Sequence, residues 1–113
     1  MGPGLDALPP GSSGLLAVRP DPDLAAAGYE ETEYVVSGTA TAYGADGLPG
    51  DGRFALREGA RADFATRVVV RRPVAAAASG TLVCEWLNVS SGADAAPDWT
   101  FTADEIVRSG HAW

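Results

Sequence analysis

The hydrophobic and polar pattern of this chain predicts strands through its middle and one helix near its end. Strand-forming residues recur from Tyr29 to Tyr43, which predicts one long bent strand or two strands hinged at Ser37–Gly38. The run Gly44–Gly52 is dense in turn residues and is predicted to be a loop. A short strand is predicted at Arg53–Arg57, followed by a polar loop through Asp63.

Two further strands are predicted in the second half. In Phe64–Arg72 the side chains alternate as in a strand, and Pro73 ends it. Thr81–Leu87 is apolar on both faces except for Glu85, a pattern typical of a strand inside a parallel or mixed sheet.

The strongest helix signal follows the small and polar loop Asn88–Pro97. Thr102 and Glu105 have the spacing of a capping box, and Gly110 is suited to the position after a helix end. The helix is therefore predicted to begin at this capping box and to end at about Ser109. A start near Asp98 is the alternative.

The first 27 residues look different from the rest. Met1–Asp23 is rich in proline and glycine and has no periodic pattern, so residues 1–27 are predicted to be a flexible lead-in. A short helical turn at Ala25–Ala27 would end at Gly28. Residues 28–113 are predicted to form the folded part.

The order of these elements favours an α/β or α+β fold. A buried strand, a loop, a helix and a strand start at His111 make a β-loop-α-β unit. Pattern alone leaves an alternative open, in which Phe64–Arg72 and Thr81–Leu87 pair as an antiparallel hairpin with the helix on one face.

Composition narrows the possible partners. The net charge is -7 over 113 residues, and all 8 basic residues are arginine. The basic cluster at Arg71–Arg72, expected to be a solvated strand end, is too small for nucleic acid or an anionic membrane. Neither a long apolar run nor a signal-peptide pattern is seen, which favours the cytoplasm.

Few residues here are suited to catalysis. The chain has no G-x-S-x-G motif, and its one histidine, His111, is expected to have a structural role at the helix end. Cys84 stands alone and is expected to be a small buried side chain. We therefore predict no catalytic nucleophile, no metal site and no cofactor within these residues.

Glu85 and the loop after it are the most informative positions. A carboxylate in an apolar strand needs a partner, for which Arg67, Arg71 or backbone donors are available. The loop Asn88–Pro97 lies where α/β proteins present backbone amides to ligands. Around it we expect an aromatic cluster of three side chains: Trp86, Trp99 and Phe101.

Long stretches of this chain are characteristic of one family. The runs GYEETEYVVSGTATAY, TRVVVRRP and, above all, EWLNVSSGADAAPDW closely resemble the N-terminal region of a bacterial family of α/β-hydrolase domain-containing proteins. The resemblance covers Gly28–Trp113. It implies an incomplete mixed sheet of three to four strands plus one helix, whose full-length members continue to the nucleophile, the acid and the histidine.

The resemblance also assigns places in that fold. Thr66–Arg72 corresponds to an antiparallel second strand, Thr81–Leu87 to the third, and His111 onward to a fourth strand that lies between them. The loop after the third strand would supply one oxyanion-hole amide, from Asn88, Val89 or Ser90. Lipase-type members have His-Gly-Gly there, which this chain lacks.

Two functional hypotheses follow. In the first, the chain is the N-terminal part of a serine hydrolase that acts on small-molecule esters, and it is inactive alone. In the second, it is a free-standing small β-rich binding or interaction module without catalysis. The oligomeric state is not indicated by the sequence.

Overall fold

The computed structural model describes residues 3–8, 14–74 and 78–113. Its elements are β1 (Gly4–Ala7), β2 (Tyr29–Ala45), β3 (Leu56–Pro73) and α1 (Pro97–Arg108). The three strands form an antiparallel sheet in the order β1-β2-β3. Two compact units are present: one holds the described residues up to Asp6 and Tyr34–Val68, and the other holds Ala7–Glu33 and Val69–Trp113.

The first unit consists mainly of the β2–β3 hairpin. β2 is one continuous strand, so no hinge divides it at Ser37–Gly38. β3 begins at Leu56 and includes the residues up to Asp63, so the predicted polar loop there is wrong. Both faces of β3 are exposed in this stretch, which therefore has no apolar alternation to mark it as a strand.

In the range predicted as a lead-in, the described residues 3–8 and 14–27 include a strand, a turn and contacts to the core. β1 was not predicted, yet it pairs with β2, and Leu8 N–H donates to Glu33 O at 2.9 Å. In the second unit, Leu15 and Leu24 pack against the core. The helical turn before Gly28 is present as a hydrogen-bonded turn, with Gly28 at a φ of +74°.

The second unit has a small hydrophobic core on the inner face of α1. Trp99 is its largest fully buried side chain, and its ring centroid lies 5.2 Å from that of Trp113. Burying large side chains of this kind contributes about 1.5–3 kcal/mol each. The buried core residues are Ala96, Trp99, Ala103, Ile106 and Trp113.

The last residues of the chain connect two segments that are not otherwise paired. Ala112 N–H donates to Thr81 O at 2.9 Å and Val83 N–H donates to Ala112 O at 2.8 Å, which makes a parallel bridge. Trp113 and Arg71 exchange both backbone hydrogen bonds, at 2.8 and 2.7 Å, as an antiparallel pair does. Residues 111–113 therefore lie between β3 and residues 81–83, as the resemblance implied.

This pairing decides between the two predicted topologies. The hairpin of Phe64–Arg72 with Thr81–Leu87 is wrong, because residues 112 and 113 occupy the place between β3 and residues 81–83. The pairing is mixed, parallel on one side and antiparallel on the other, as in an α/β sheet.

Thr81–Leu87 is not covered on both faces, contrary to expectation. Residues 83, 85 and 87 are half-buried, whereas Leu82 and Trp86 are 64% and 97% exposed and Cys84 is exposed. Among the described residues its one ladder position is Leu82, so the segment is an extended stretch with a single bridge. The sequence has apolar residues on both faces of this segment, and in the structure one of the two faces is half-buried and the other is exposed.

The helix α1 begins a turn before the predicted capping box. Pro97 occupies its first position, where a missing N–H costs nothing, and the residue before it, Ala96, has no side chain able to cap. Thr102 instead donates to Asp98 O at 2.6 Å, inside the helix. Gly110, at a φ of +68°, follows the C-terminal cap as predicted.

We expect the free energy of unfolding to depend on the Trp113 side chain and not on the Trp86 side chain. Trp113→Ala removes a buried indole and should lower the free energy of unfolding by about 3–5 kcal/mol. Trp86→Ala is the matched control, because its indole is 97% exposed, and it should change that free energy by less than about 0.5 kcal/mol. Urea unfolding of both variants measures the difference; equal losses would contradict this core.

Candidate functional site

The loop after residue 87 folds back on itself. Asn88 and Ala95 exchange both backbone hydrogen bonds at 2.8 Å, so the two ends of the loop are paired. Between them Ser90 N–H donates to Asn88 Oδ1 at 2.9 Å, and Gly92 N–H donates to Val89 O at 3.0 Å. Gly92 has a φ of +79°, a conformation that favours glycine. The loop is thus a defined turn.

The three candidate oxyanion amides differ in what they already bind. The Asn88 amide donates to Ala95 O, and the Ser90 amide donates to Asn88 Oδ1. The Val89 amide has no acceptor among the described residues. Val89 is also 61% exposed. Of the three, Val89 alone has an N–H available to a ligand.

Glu85 caps the helix that follows the loop. Its Oε1 accepts from Asp98 N–H at 2.8 Å and its Oε2 from Trp99 N–H at 2.9 Å. These amides are the second and third of α1, the ones that a capping side chain normally satisfies. Because Ala96 cannot cap, the carboxylate on the preceding segment does so. The negative charge also suits the positive end of the helix dipole.

The same carboxylate reaches the last residue of the chain. Trp113 Nε1 donates to Glu85 Oε2 at 3.0 Å. Glu85 therefore connects three parts of the unit: the segment before the loop, the start of α1 and residues 111–113. Of the partners predicted for Glu85, backbone donors are confirmed, and the indole donor was not foreseen.

Arg71 is buried, so the expectation that Arg71–Arg72 is a solvated strand end is wrong for its first member. The Arg71 side chain is 5% exposed and pairs with Glu31 at 2.6 Å and Asp21 at 2.9 Å. Its guanidinium carbon lies 4.4 Å from the Trp99 ring centroid and 5.4 Å from that of Trp113. Two carboxylates and two indole faces offset the cost of burying this charge.

The segment before Gly28 takes part in the same network. Asp21 accepts from Trp99 Nε1 at 2.8 Å through the oxygen that Arg71 does not use. Upstream, Leu16 forms a parallel bridge with Ala95 and donates to Asp94 O at 2.7 Å. Backbone around position 16 thus lies beside the closing pair of the candidate loop.

The predicted aromatic cluster forms with different members. Trp99 is buried, but Trp86 is 97% and Phe101 63% exposed, so the cluster as predicted is wrong. Trp113 takes the place beside Trp99. Its backbone pairs with Arg71, a residue distant in sequence, so no local pattern predicts this position. Cys84, expected to be buried, is exposed as well.

His111 lies at the end of α1, where a structural role was expected. Its backbone N–H donates to Ile106 O at 3.0 Å, and its carbonyl accepts from the Tyr29 hydroxyl at 2.9 Å. Burial raises the pKa of Tyr29, so this hydroxyl remains a donor at neutral pH. The His111 imidazole Nδ1 lies 2.6 Å from Ser79 Oγ.

In the part of the chain that the structure describes, no group of three or more metal-ligating side chains comes together. No helix among those residues is long and apolar enough to cross a membrane.

An extended segment, a turn, a helix and a second extended segment follow one another here, and of the three candidate amides in the turn that of Val89 has no acceptor among the described residues. Sequence comparison identifies the class: the family model described as an alpha/beta hydrolase domain matches residues 2–113, and the chain belongs to that family. Searches of curated proteins and of solved structures found no match.

Two substitutions test whether Glu85, as in the structure, or Thr102, as predicted from the sequence, caps α1. Glu85→Ala leaves two helix amides and an indole N–H without their acceptor, and should cost about 1–3 kcal/mol of unfolding free energy. Thr102→Ala, at the predicted cap, should cost less than about 0.5 kcal/mol. Thermal and urea unfolding compare the two; the opposite ranking would place the cap at Thr102.

Proposed function

We propose that this chain supplies the first sheet strands and the oxyanion-side loop of a serine hydrolase of small-molecule esters, and that it is inactive alone. The family supports a hydrolase-like fold. The observation that supports the rest is the position of residues 111–113, which lie between β3 and residues 81–83 and pair with both. That is where an α/β-hydrolase sheet has its fourth strand.

Unpaired backbone beside this strand start supports an incomplete sheet. Among the described residues, the amides of Leu82, Cys84, Trp86 and Leu87 donate no hydrogen bond. Extended segments in finished sheets rarely leave such a row of donors without partners. We infer that further strands fill both edges of residues 81–87 in the functional protein.

The register of the existing bridges says where the fourth strand would continue. Ala112 lies opposite Leu82 in a parallel pair, and Trp113 lies opposite Arg71 in an antiparallel pair. Residues after Trp113 would therefore run toward Trp86 on one side and toward Val69 on the other. Among the described residues, β3 is the last strand of its sheet, and the amides of Trp86 and Leu87 donate no hydrogen bond.

The exposed face of residues 81–87 supports the same conclusion. Leu82, Cys84 and Trp86 point away from the core that α1 covers, and an indole that is 97% exposed is unusual on a finished domain. Helices cover both faces of an α/β sheet. We infer that this face is the one on which the remaining helices pack. The free-standing module has no comparable explanation for it.

Within the loop, we assign the oxyanion role to the Val89 amide. It is the one amide of the three candidates that is not already donated, and it follows directly after the paired residue Asn88. A fixed N–H of this kind stabilises the oxyanion of a tetrahedral intermediate. The attacking serine and its base would come from residues outside this chain.

The isolated chain should not turn over p-nitrophenyl butyrate. It has no G-x-S-x-G motif, so no serine sits on a nucleophile elbow. Steady-state release of p-nitrophenolate, measured at chain concentrations well below that of the ester, should equal the buffer rate. Sustained turnover abolished by a serine-directed phosphonate would refute the assignment.

The product of the natural gene, with all the residues that the gene encodes, should hydrolyse the same ester. Val89→Pro removes the N–H and should lower kcat by about 10²–10³-fold with little change in KM. Val89→Ala keeps the N–H and should remain near the original rate. Equal losses in the two variants would show that the amide is not the donor, and a reading frame that closes after Trp113 would favour the free-standing module.

A further inference from the structure

A serine and a histidine outside the loop are in contact at the opposite end of residues 79–88. Ser79 Oγ lies 2.6 Å from His111 Nδ1. The Ser79 backbone is held by a hydrogen bond from its N–H to Gly110 O at 2.8 Å, so it is placed against the turn that carries His111. Ser79 is exposed and His111 is half-buried, which leaves the hydroxyl open to solvent.

The hydrogen bonds around Ser79 are compatible with a hydroxyl that donates to His111. Thr81 N–H donates to Ser79 Oγ at 3.1 Å, so the hydroxyl oxygen is already an acceptor. In the tautomer that carries its proton on Nε2, His111 Nδ1 is an acceptor, and the Ser79 hydroxyl donates to it across this contact. A hydroxyl that donates to an imidazole and accepts from an amide has the two contacts that favour an alkoxide as it forms.

We propose that Ser79 is an acylation site of this chain, with His111 as its general base and activated carboxylic esters as the acyl donors. The site is separate from the proposed oxyanion loop and does not depend on the function proposed above. We expect it to take up one acyl group and to release that group slowly.

The step balances within the two side chains and the ester. The Ser79 oxygen attacks the ester carbonyl, and its proton moves to His111 Nδ1. The new Oγ–acyl bond forms while the bond from the acyl carbon to the p-nitrophenyl oxygen breaks, and p-nitrophenolate leaves. The imidazolium then gives its proton to solvent, which restores the neutral base.

The chain contains its own control serine. Ser109 Oγ donates to Glu105 Oε1 at 2.8 Å, so its proton is directed to a carboxylate on the same helix rather than to an imidazole. Hydrogen bonds from Arg108 and then Ser109 lower the pKa of Glu105, which makes this carboxylate a poor base. Ser109 should therefore be much less reactive than Ser79.

The experiment treats the 113-residue chain with p-nitrophenyl acetate and maps the acetyl group by mass spectrometry. All variants carry Cys84→Ala, because the exposed Cys84 thiol would compete for the ester. We expect up to one equivalent of p-nitrophenolate in a burst, with the acetyl group on Ser79. His111→Gln should slow that acetylation about a hundredfold, whereas Ser109→Ala should leave it unchanged.

Circular dichroism of each variant confirms that the fold is retained, and Ser79→Ala, an exposed substitution, serves as the second test. Ser79→Ala should abolish the burst. An undiminished burst in Ser79→Ala, acetyl groups spread over other nucleophiles, or an unchanged rate in a folded His111→Gln would overturn the proposal. A stoichiometric burst is distinct from sustained turnover. Failure of the acetylation proposal therefore leaves the hydrolase assignment standing, and the reverse also holds.

Discussion

The backbone hydrogen bonds of Ala112 and Trp113 are the constraint on which the second unit depends. They join β3 on one side to residues 81–83 on the other, although those segments do not pair with each other directly. They also bring the Trp113 indole onto Trp99 and beside the Glu85 carboxylate. Without this short connection, the buried Arg71 would lose one of the two rings that it lies against.

Two charged side chains, Glu85 and Arg71, connect further segments of the second unit. Glu85 satisfies the first amides of α1, and Arg71 connects β3 to the segment that contains Asp21. Arg71 is buried and Glu85 is half-buried, both contact the Trp113 indole, and their hydrogen-bond partners come from distant parts of the chain. Such networks fix geometry as well as stability, since each member that is removed leaves another group unpaired. The candidate loop connects the segment that contains Glu85 to the start of α1, and Glu85 accepts hydrogen bonds from the first amides of that helix.

The sequence predicted the parts of this unit that local chemistry determines. The β2 strand, the helix end at Gly110 and the need of Glu85 for a partner follow from side-chain type and spacing. The resemblance supplied the order of the segments, with the residues from His111 onward between Thr66–Arg72 and Thr81–Leu87. What failed was burial: Trp86 and Cys84 were expected inside and are exposed, because apolar character shows that a face can be covered and not that it is. The helix cap that Glu85 provides was not predicted, because the sequence rules for helix caps consider residues next to the helix start.

Residues 111–113 lie between β3 and residues 81–83, and the arrangement of the second unit depends on this pairing. Amide hydrogen exchange on the 113-residue chain, resolved by NMR, tests this directly. We expect slow exchange at the hydrogen-bonded amides of four residues: Arg71, Val83, Ala112 and Trp113. Exchange should be fast at Cys84 and Trp86, because their amides have no acceptor among the described residues. Protection at Cys84 and Trp86 with rapid exchange at Ala112 and Trp113 would show that residues 81–87 pair elsewhere, and would contradict the account.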